Sequence, residues 1–180
     1  SSMTFMVAMG FSVVAMIRVG EMFGKRDLIN LKRIAYSLFL IILIFDIFFC
    51  FIFLLFNEYL PWIYLSKTGD KSMSDVFQVI EISSKLILIS GFFQIFDGLQ
   101  SVILGALRGI QDVLIPTVLI FIAYILVGLP VSYYLGFNTH LGVVGIWIGL
   151  LFGLLTSSFF LLLRFSYDLN LMYKKSNLYL

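Results

Sequence analysis

The sequence has 180 residues, of which 61% are hydrophobic and only 12% are charged. A soluble globular domain carries about 25% charged residues, and one of this size has too little interior to bury 20 phenylalanines. The composition therefore excludes a soluble enzyme, and the net charge of +2 is too small for a nucleic-acid-binding protein. We predict an all-α integral membrane protein whose solvent is the lipid bilayer.

The cysteine, histidine and amino-terminal content of the chain also limits its chemistry. With one histidine, His140, and one cysteine, Cys50, the chain cannot build a His/Cys metal cage by itself. We expect no cofactor. The start is apolar and has neither a basic segment nor a small-residue cleavage signal, which is typical of a piece of a larger protein and not of a signal peptide.

Five apolar segments have about the length that a helix needs to cross a hydrocarbon core about 30 Å thick. Their residues do not alternate between polar and apolar, as the strands of a membrane β-barrel would. The first segment is short, and the third is too long for a single upright span. In chain order, the predicted spans are residues 3–19, 34–56, 77–107, 113–135 and 142–163.

The polar connectors between these spans predict the orientation of the chain. The connectors are a basic turn, a longer aromatic loop, a tight turn and a short turn, followed by a polar tail: Gly24–Arg33, Asn57–Asp75, Arg108–Asp112, Gly136–Gly142 and Arg164 onward. The first connector, the third and the tail hold eight basic residues, whereas the second and fourth hold only Lys67 and Lys71. Because basic connectors stay on the cytoplasmic side, we predict that the two basic turns and the carboxyl terminus are cytoplasmic.

Asp97 is the most informative charged residue within a span. It lies 11 residues before Arg108, which places it about 16 Å into the membrane at about 1.5 Å per helical residue. That depth is near the midplane, where secondary transporters bind substrate and ion. Gln94 and Gln100, three residues to either side, share its helix face. Two interpretations remain open: a cation or substrate site, or a structural aspartate hydrogen-bonded inside the bundle.

Asp46 is also deep in the membrane, 13 residues after Arg33. It has no polar companion three or four residues away on its own helix, which favours a structural role. Arg18, at the end of the first span, is expected to extend towards the cytoplasmic headgroups. His140 lies in an outer turn and is expected to be solvated.

Small residues predict how the last two spans pack. Gly145, Gly149 and Gly153 follow one another every four residues, a pattern that lets helices approach closely. Gly128 and Pro130 predict a kink in the outer half of the fourth span.

Four strings resemble the MATE family of multidrug extruders, in its bacterial NorM-like branch. An LRG-x-x-D-x-x-x-P element ending at Pro116 and a G-x-x-G-x-W-x-G element containing Trp147 carry most of the resemblance. The order and spacing match the eighth to twelfth helices of that family over nearly the whole chain. The strings are RVGEMFGKRD (18–27), FFQIFDGLQSVILGALRGIQDVLIP (92–116), GLPVSYYLG (128–136) and GVVGIWIGLLFGL (142–154).

The resemblance implies a twelve-helix transporter of two six-helix lobes in the bacterial inner membrane. Such proteins export organic, often cationic, compounds in exchange for H⁺ or Na⁺, and the amino-terminal lobe would be the partner of this chain. Asp97 matches the family's acidic residue on its tenth helix, which implies cation and substrate binding and a role as Na⁺ ligand. The family often has a tyrosine four residues earlier, where this chain has Phe93; this difference favours H⁺.

The family motifs also imply roles for several other positions. Gln94, Phe93 and Gln100 would contribute to the cation and substrate site around Asp97. Seven positions of the motifs are expected to be structural: Arg18, Gly20, Arg108, Gly109, Pro116, Gly145 and Trp147.

Three functions are alternatives to drug export. A lipid-linked saccharide flippase of the same superfamily would need several basic residues inside the membrane for pyrophosphate, and this sequence has few. A membrane-embedded enzyme would need a nucleophile–base pair or a metal cluster at depth, and the sequence contains no such constellation. A non-transporting assembly subunit stays open as an alternative.

Overall fold

The computed structural model describes residues 2–56 and 73–178, and all regular structure in these ranges is helical. Five helical stretches are long and apolar enough to cross a membrane, which confirms the predicted fold class. In these stretches only 17–33% of the most apolar window is buried. Most apolar side chains therefore face outward, where lipid would cover them.

The helices follow one another as a bundle with short turns. α1 spans Ser2–Gly24, α2 spans Leu28–Phe56 and α3 spans Met73–Gly109. The fourth crossing consists of α4 (Leu114–Ile122), a π-helical segment (Ala123–Gly128) and α5 (Leu129–Phe137). The last helix, α6, spans Val143–Leu178. α3 packs against α1, α2 and α6, and the fourth crossing packs mainly against α6.

The first basic connector is shorter than predicted, because α2 already begins at Leu28. The Asp27 carboxylate accepts hydrogen bonds from the Asn30 backbone N–H at 3.1 Å and from the Asn30 side-chain amide at 2.6 Å. These bonds hold the pKa of Asp27 below its ordinary value, and they cap the first turn of α2. The predicted loop Gly24–Arg33 is therefore wrong for its second half, which is helical.

The polar tail predicted from Arg164 onward is also helical, since α6 continues to Leu178. The Arg164 guanidinium binds the Asp112 carboxylate at 2.7 Å and the Asp168 carboxylate at 3.1 Å. The Tyr173 hydroxyl donates to the Leu28 carbonyl at 3.0 Å. These bonds hold the end of α6 against the turn after α3 and the start of α2. Of the predicted connector Asn57–Asp75, residues 57–72 lie outside the described residues, and the last three belong to α3.

α1 and α3 approach each other closely through small residues. A Cβ on Gly20 would lie 3.3 Å from the Gly109 carbonyl oxygen, and one on Gly109 would lie 2.7 Å from the Met16 carbonyl oxygen. The Ser12 hydroxyl donates to the Ser101 carbonyl at 2.7 Å. This contact joins α3 to α1 at Gly20 and Gly109, and the structural role of these two glycines stays a prediction.

The predicted glycine pattern packs α6 against the fourth crossing. Gly145 lies against the Leu135 backbone, Gly149 against the Ser132 backbone, and a Cβ on Gly153 would be 3.1 Å from the Gly128 Cα. Where Gly128 and Pro130 predict a kink, the structure has the π-helical segment, which ends two residues before that proline; the kink itself stays a prediction. A proline lacks the N–H of an α-helical bond, and a wider turn accommodates that loss.

Candidate functional site

A cavity of about 580 Å³ lies between the amino-terminal parts of α1 and α6 and the middle of α3. This volume is within the range of sites for drug-sized ligands. Its wall is mainly aromatic and aliphatic, with the polar groups contributed by α3. The lining residues are Phe5, Met6, Ser90, Phe93, Gln94, Asp97, Trp147 and Leu150.

Asp97 gives this cavity its negative charge. It is the twelfth of the 24 residues in the candidate span Leu86–Gly109, which places it at the midpoint of that span. No ion pair of the described residues involves Asp97. A carboxylate at this depth is costly without a cationic or hydrogen-bonding partner, so a cation is the ligand that its position favours.

Two aromatic rings stand beside this carboxylate. The rings of Phe93 and Trp147 meet edge to face, with centroids 5.9 Å apart and an interplanar angle of 68°. Aromatic faces attract organic cations, most strongly when water is excluded. The cavity thus combines a carboxylate with rings, an arrangement suited to an apolar molecule that carries a positive charge.

A second carboxylate lies directly behind the first. Asp46 of α2 is completely buried, and its carboxylate fills the space where a Cβ of Gly98 would be. It neighbours the amide of Gln94, and the charge of Asp97 acts on it. Among the residues that the structure describes, neither carboxylate oxygen of Asp46 makes a hydrogen bond of ordinary geometry, and the same holds for both polar atoms of Gln94.

The structure brings together three of the four predicted site residues. Phe93, Gln94 and Asp97 line the cavity, whereas Gln100 does not, and its buried side-chain oxygen has no hydrogen-bond partner among the described residues. A helix turns by about 100° per residue, so Gln94 and Gln100 diverge by a large angle although each is near Asp97 in sequence. The roles of these residues in binding stay predictions.

Sequence reasoning missed Trp147 and Tyr124 as neighbours of the site. Trp147 was expected to be structural, yet it lines the cavity. The signal was available: Trp147 is two residues from both Gly145 and Gly149, about 200° around the helix, and so faces away from the glycine contact. Tyr124 of the π-helical segment lies within reach of the charge on Asp97, and no sequence spacing indicated this.

The remaining motif positions lie outside the cavity lining. Arg18 pairs with Glu21 at 3.2 Å on an exposed surface, and Arg108 is exposed at the end of α3. Pro116 is buried as the third residue of α4, a position whose N–H has no partner within the helix. These contacts belong to the helix ends and turns, at a distance from the aromatic wall.

Comparison with known proteins places this geometry in a family. The MatE family model matches residues 1–134. The probable multidrug resistance protein NorM of Rhizobium meliloti is 33% identical over 165 residues, which are 92% of this chain and 34% of that protein. The multidrug resistance protein NorM of Photobacterium profundum is 31% identical over 168 residues, which are 91% of this chain and 35% of that protein.

A solved structure has the same fold. It is an inward-facing conformation of a multidrug resistance MATE family transporter of the MOP superfamily, with a TM-score of 0.77 and 16% identity. The match covers 96% of this chain and 39% of that transporter. The chain therefore spans about a third of the length of the curated relatives it matches. The family model and these relatives together show that the chain belongs to the MATE family of multi-pass membrane proteins.

Proposed function

We propose that this chain forms helices eight to twelve of a two-lobed bacterial multidrug exporter. The complete transporter would expel organic, often cationic, compounds through the inner membrane in exchange for H⁺ or Na⁺. The NorM relatives and the MATE fold support multidrug export as the class of activity. The remaining lobe of the same protein and the lipid bilayer are the partners that this proposal requires.

The observation that carries the proposal is the placement of Asp97 with Phe93 and Trp147 in one cavity. A lipophilic cation would lay its apolar surface on the rings and its charge near the carboxylate. The lining residues that the structure describes include no lysine or arginine, whereas a pyrophosphate-linked saccharide would require cations there. The site therefore favours drug export over the flippase alternative.

Exchange follows if drug and coupling ion compete for Asp97. A ligand shifts a protein between two states only through its different affinity for them. When the cavity faces outward, an incoming H⁺ or Na⁺ would neutralise Asp97 and displace the drug. When it faces inward, release of the ion would restore the carboxylate for the next drug molecule.

Transport by the complete protein tests the proposal. The protein would be reconstituted in liposomes, and efflux of the fluorescent cation ethidium would be followed under an imposed H⁺ gradient, an imposed Na⁺ gradient and neither. We expect accelerated ethidium movement under at least one gradient. Equal rates under all three conditions would contradict an ion-coupled exporter and would favour the assembly-subunit alternative.

The membrane orientation is part of the same proposal. The turns at Lys25–Asp27 and Arg108–Asp112 would be cytoplasmic, together with the carboxyl terminus, because basic residues cluster there. The cavity would then lie between the outer ends of α1 and α6 and reach the middle of α3, where Asp97 stands.

A further inference from the structure

Asp46 is a buried carboxylate whose presence the cavity itself does not explain. It is absent from the lining of the cavity, yet it lies beside two of the residues that form its polar wall. Its helix, α2, contributes none of the lining residues. An unpaired ionisable side chain at this depth is costly in a membrane protein, and such residues mark functional sites.

The described surroundings of Asp46 contain a second carboxylate, that of Asp97, and the side-chain amide of Gln94. Among the described residues, neither carboxylate oxygen of Asp46 makes a hydrogen bond of ordinary geometry, although the Gln94 amide adjoins them. The Arg and Lys ion pairs of the described residues are made with Glu21, Asp112 and Asp168, and so not with Asp46 or Asp97. Two neighbouring carboxylates do not both stay charged in an apolar interior without a cation.

Gln94 connects the buried carboxylate to the cavity. Gln94 is only 6% exposed, neither of its polar atoms makes a hydrogen bond of ordinary geometry to a described residue, and it lines the cavity beside Asp97. An amide oxygen and carboxylate oxygens are the ligands that hard monovalent and divalent cations prefer. The Gln94 amide adjoins the Asp46 carboxylate, so it joins that carboxylate to the cavity.

We propose that Asp46, Gln94 and Asp97 form one site for a small inorganic monovalent cation, H⁺ or Na⁺, with Asp46 as its deep carboxylate. The inference rests on the proposed function and goes beyond it, because it assigns a different role to each of the two acids. Asp97 faces the cavity and is shared by drug and ion. Asp46 lies behind Gly98, out of reach of a drug-sized molecule, and serves the ion alone.

The different roles of Asp46 and Asp97 predict different effects for two matched substitutions in the complete transporter. Asp46→Asn should lower gradient-driven ethidium efflux by about tenfold to a hundredfold, the range seen when a partner of a bound cation is lost. Equilibrium binding of ethidium, measured by fluorescence without a gradient, should change by less than about twofold. Asp97→Asn should weaken both. An H⁺ gradient and a Na⁺ gradient are tested separately, and the gradient whose effect Asp46→Asn removes identifies the ion.

Three further variants keep the test decisive. Asp46→Glu retains a carboxyl group and should keep more exchange than Asp46→Asn. Cys50→Ala is the matched control. Cys50 is one turn further along α2, where it makes another close contact with α3, opposite Gly91. This substitution should leave exchange unchanged, which separates loss of the carboxylate from disturbance of the helix contact. Asp46→Ala is measured as well, in case Asp46→Asn does not fold.

The possible failures are distinct. If folded Asp46→Asn and Asp46→Ala proteins move ethidium at the parental rate, the ion site is wrong. The proposed function then still stands. Equal loss of ethidium binding and of efflux in Asp46→Asn would overturn the claim that Asp46 binds the ion and not the drug. A parental protein that moves ethidium under neither gradient would overturn the proposed function, and this inference with it.

Discussion

The carboxylate of Asp46 occupies the space beside Gly98 that any other residue would need for its Cβ. Gly98 directly follows Asp97 in the sequence, so the contact sets two acids from different helices on the same short stretch of α3. A glycine at this position is required by close approach and not by backbone conformation, since Gly98 lies within a regular helix.

Gly98→Ala should therefore destabilise the complete transporter by about 1–3 kcal/mol, the usual cost of overpacking a close contact. Asp46→Ala in the same protein should restore part of that loss, because it removes the atoms that the new methyl group meets. Thermal unfolding in detergent is the measurement. Gly10→Ala is the control, since its Cβ would meet nothing within 4 Å. Equal effects of Gly98→Ala and Gly10→Ala would argue against the contact.

The glycine contact between α6 and the fourth crossing should be less tolerant still. A Cβ on Gly145 would lie 2.6 Å from the Leu135 carbonyl carbon and 3.0 Å from the Gly136 nitrogen, and backbone cannot move aside as a side chain can. Gly145→Val should lower the amount of folded protein sharply, as judged by size-exclusion chromatography of a fluorescent fusion. Gly24→Val, at an open position, should not. A normal elution profile for Gly145→Val would contradict the described packing.

The ion cluster at the end of α6 should matter more than the exposed pair on α1. Arg164 binds Asp112 and Asp168, and its side chain is only 22% exposed, whereas that of Arg18, paired with Glu21, is 59% exposed. We expect Arg164→Gln to cost about 2 kcal/mol, since charged hydrogen bonds are lost. Arg18→Gln should have a much smaller effect, because solvent screens an exposed pair. Thermal unfolding compares the two, and similar losses for both would be evidence against this difference.

The orientation is tested by labelling from each side of the membrane. In a Cys50→Ala background, cysteine introduced at Lys25 should react with an impermeant maleimide only from the cytoplasm. Cysteine introduced at Asn138 should react only from outside. The reason is the clustering of basic residues around the first of these turns. The opposite pattern of labelling would invert the proposed topology.

Much of the fold was predictable because hydropathy alone specifies a membrane span. The five crossings and the glycine contact of Gly149 followed from local patterns. The helix ends did not, because the polar residues after Asp27 and after Arg164 resemble loops, while caps and ion pairs between distant segments keep them helical. Deep polar residues of one helix could be grouped by spacing, as with Gln94 and Asp97.

Contacts between helices were the part that spacing could not supply. The sequence favoured a structural role for Asp46 because no polar residue stands near it on α2. Its polar neighbours are on α3, about fifty positions later in the chain. Trp147 approaches Phe93 in the same way, across two helices. Such relationships depend on the rotation of each helix in the bundle, which a pattern along one helix does not specify.

The central claim is that Asp97 couples ion entry to drug exit, and its substitution by asparagine tests that claim most directly. Asp97→Asn preserves the size of the side chain and removes the charge. In the complete transporter, present at parental levels, it should abolish ethidium efflux in membrane vesicles under both an imposed H⁺ gradient and an imposed Na⁺ gradient. Efflux at the parental rate under both gradients would contradict the account and would return Asp97 to a structural role.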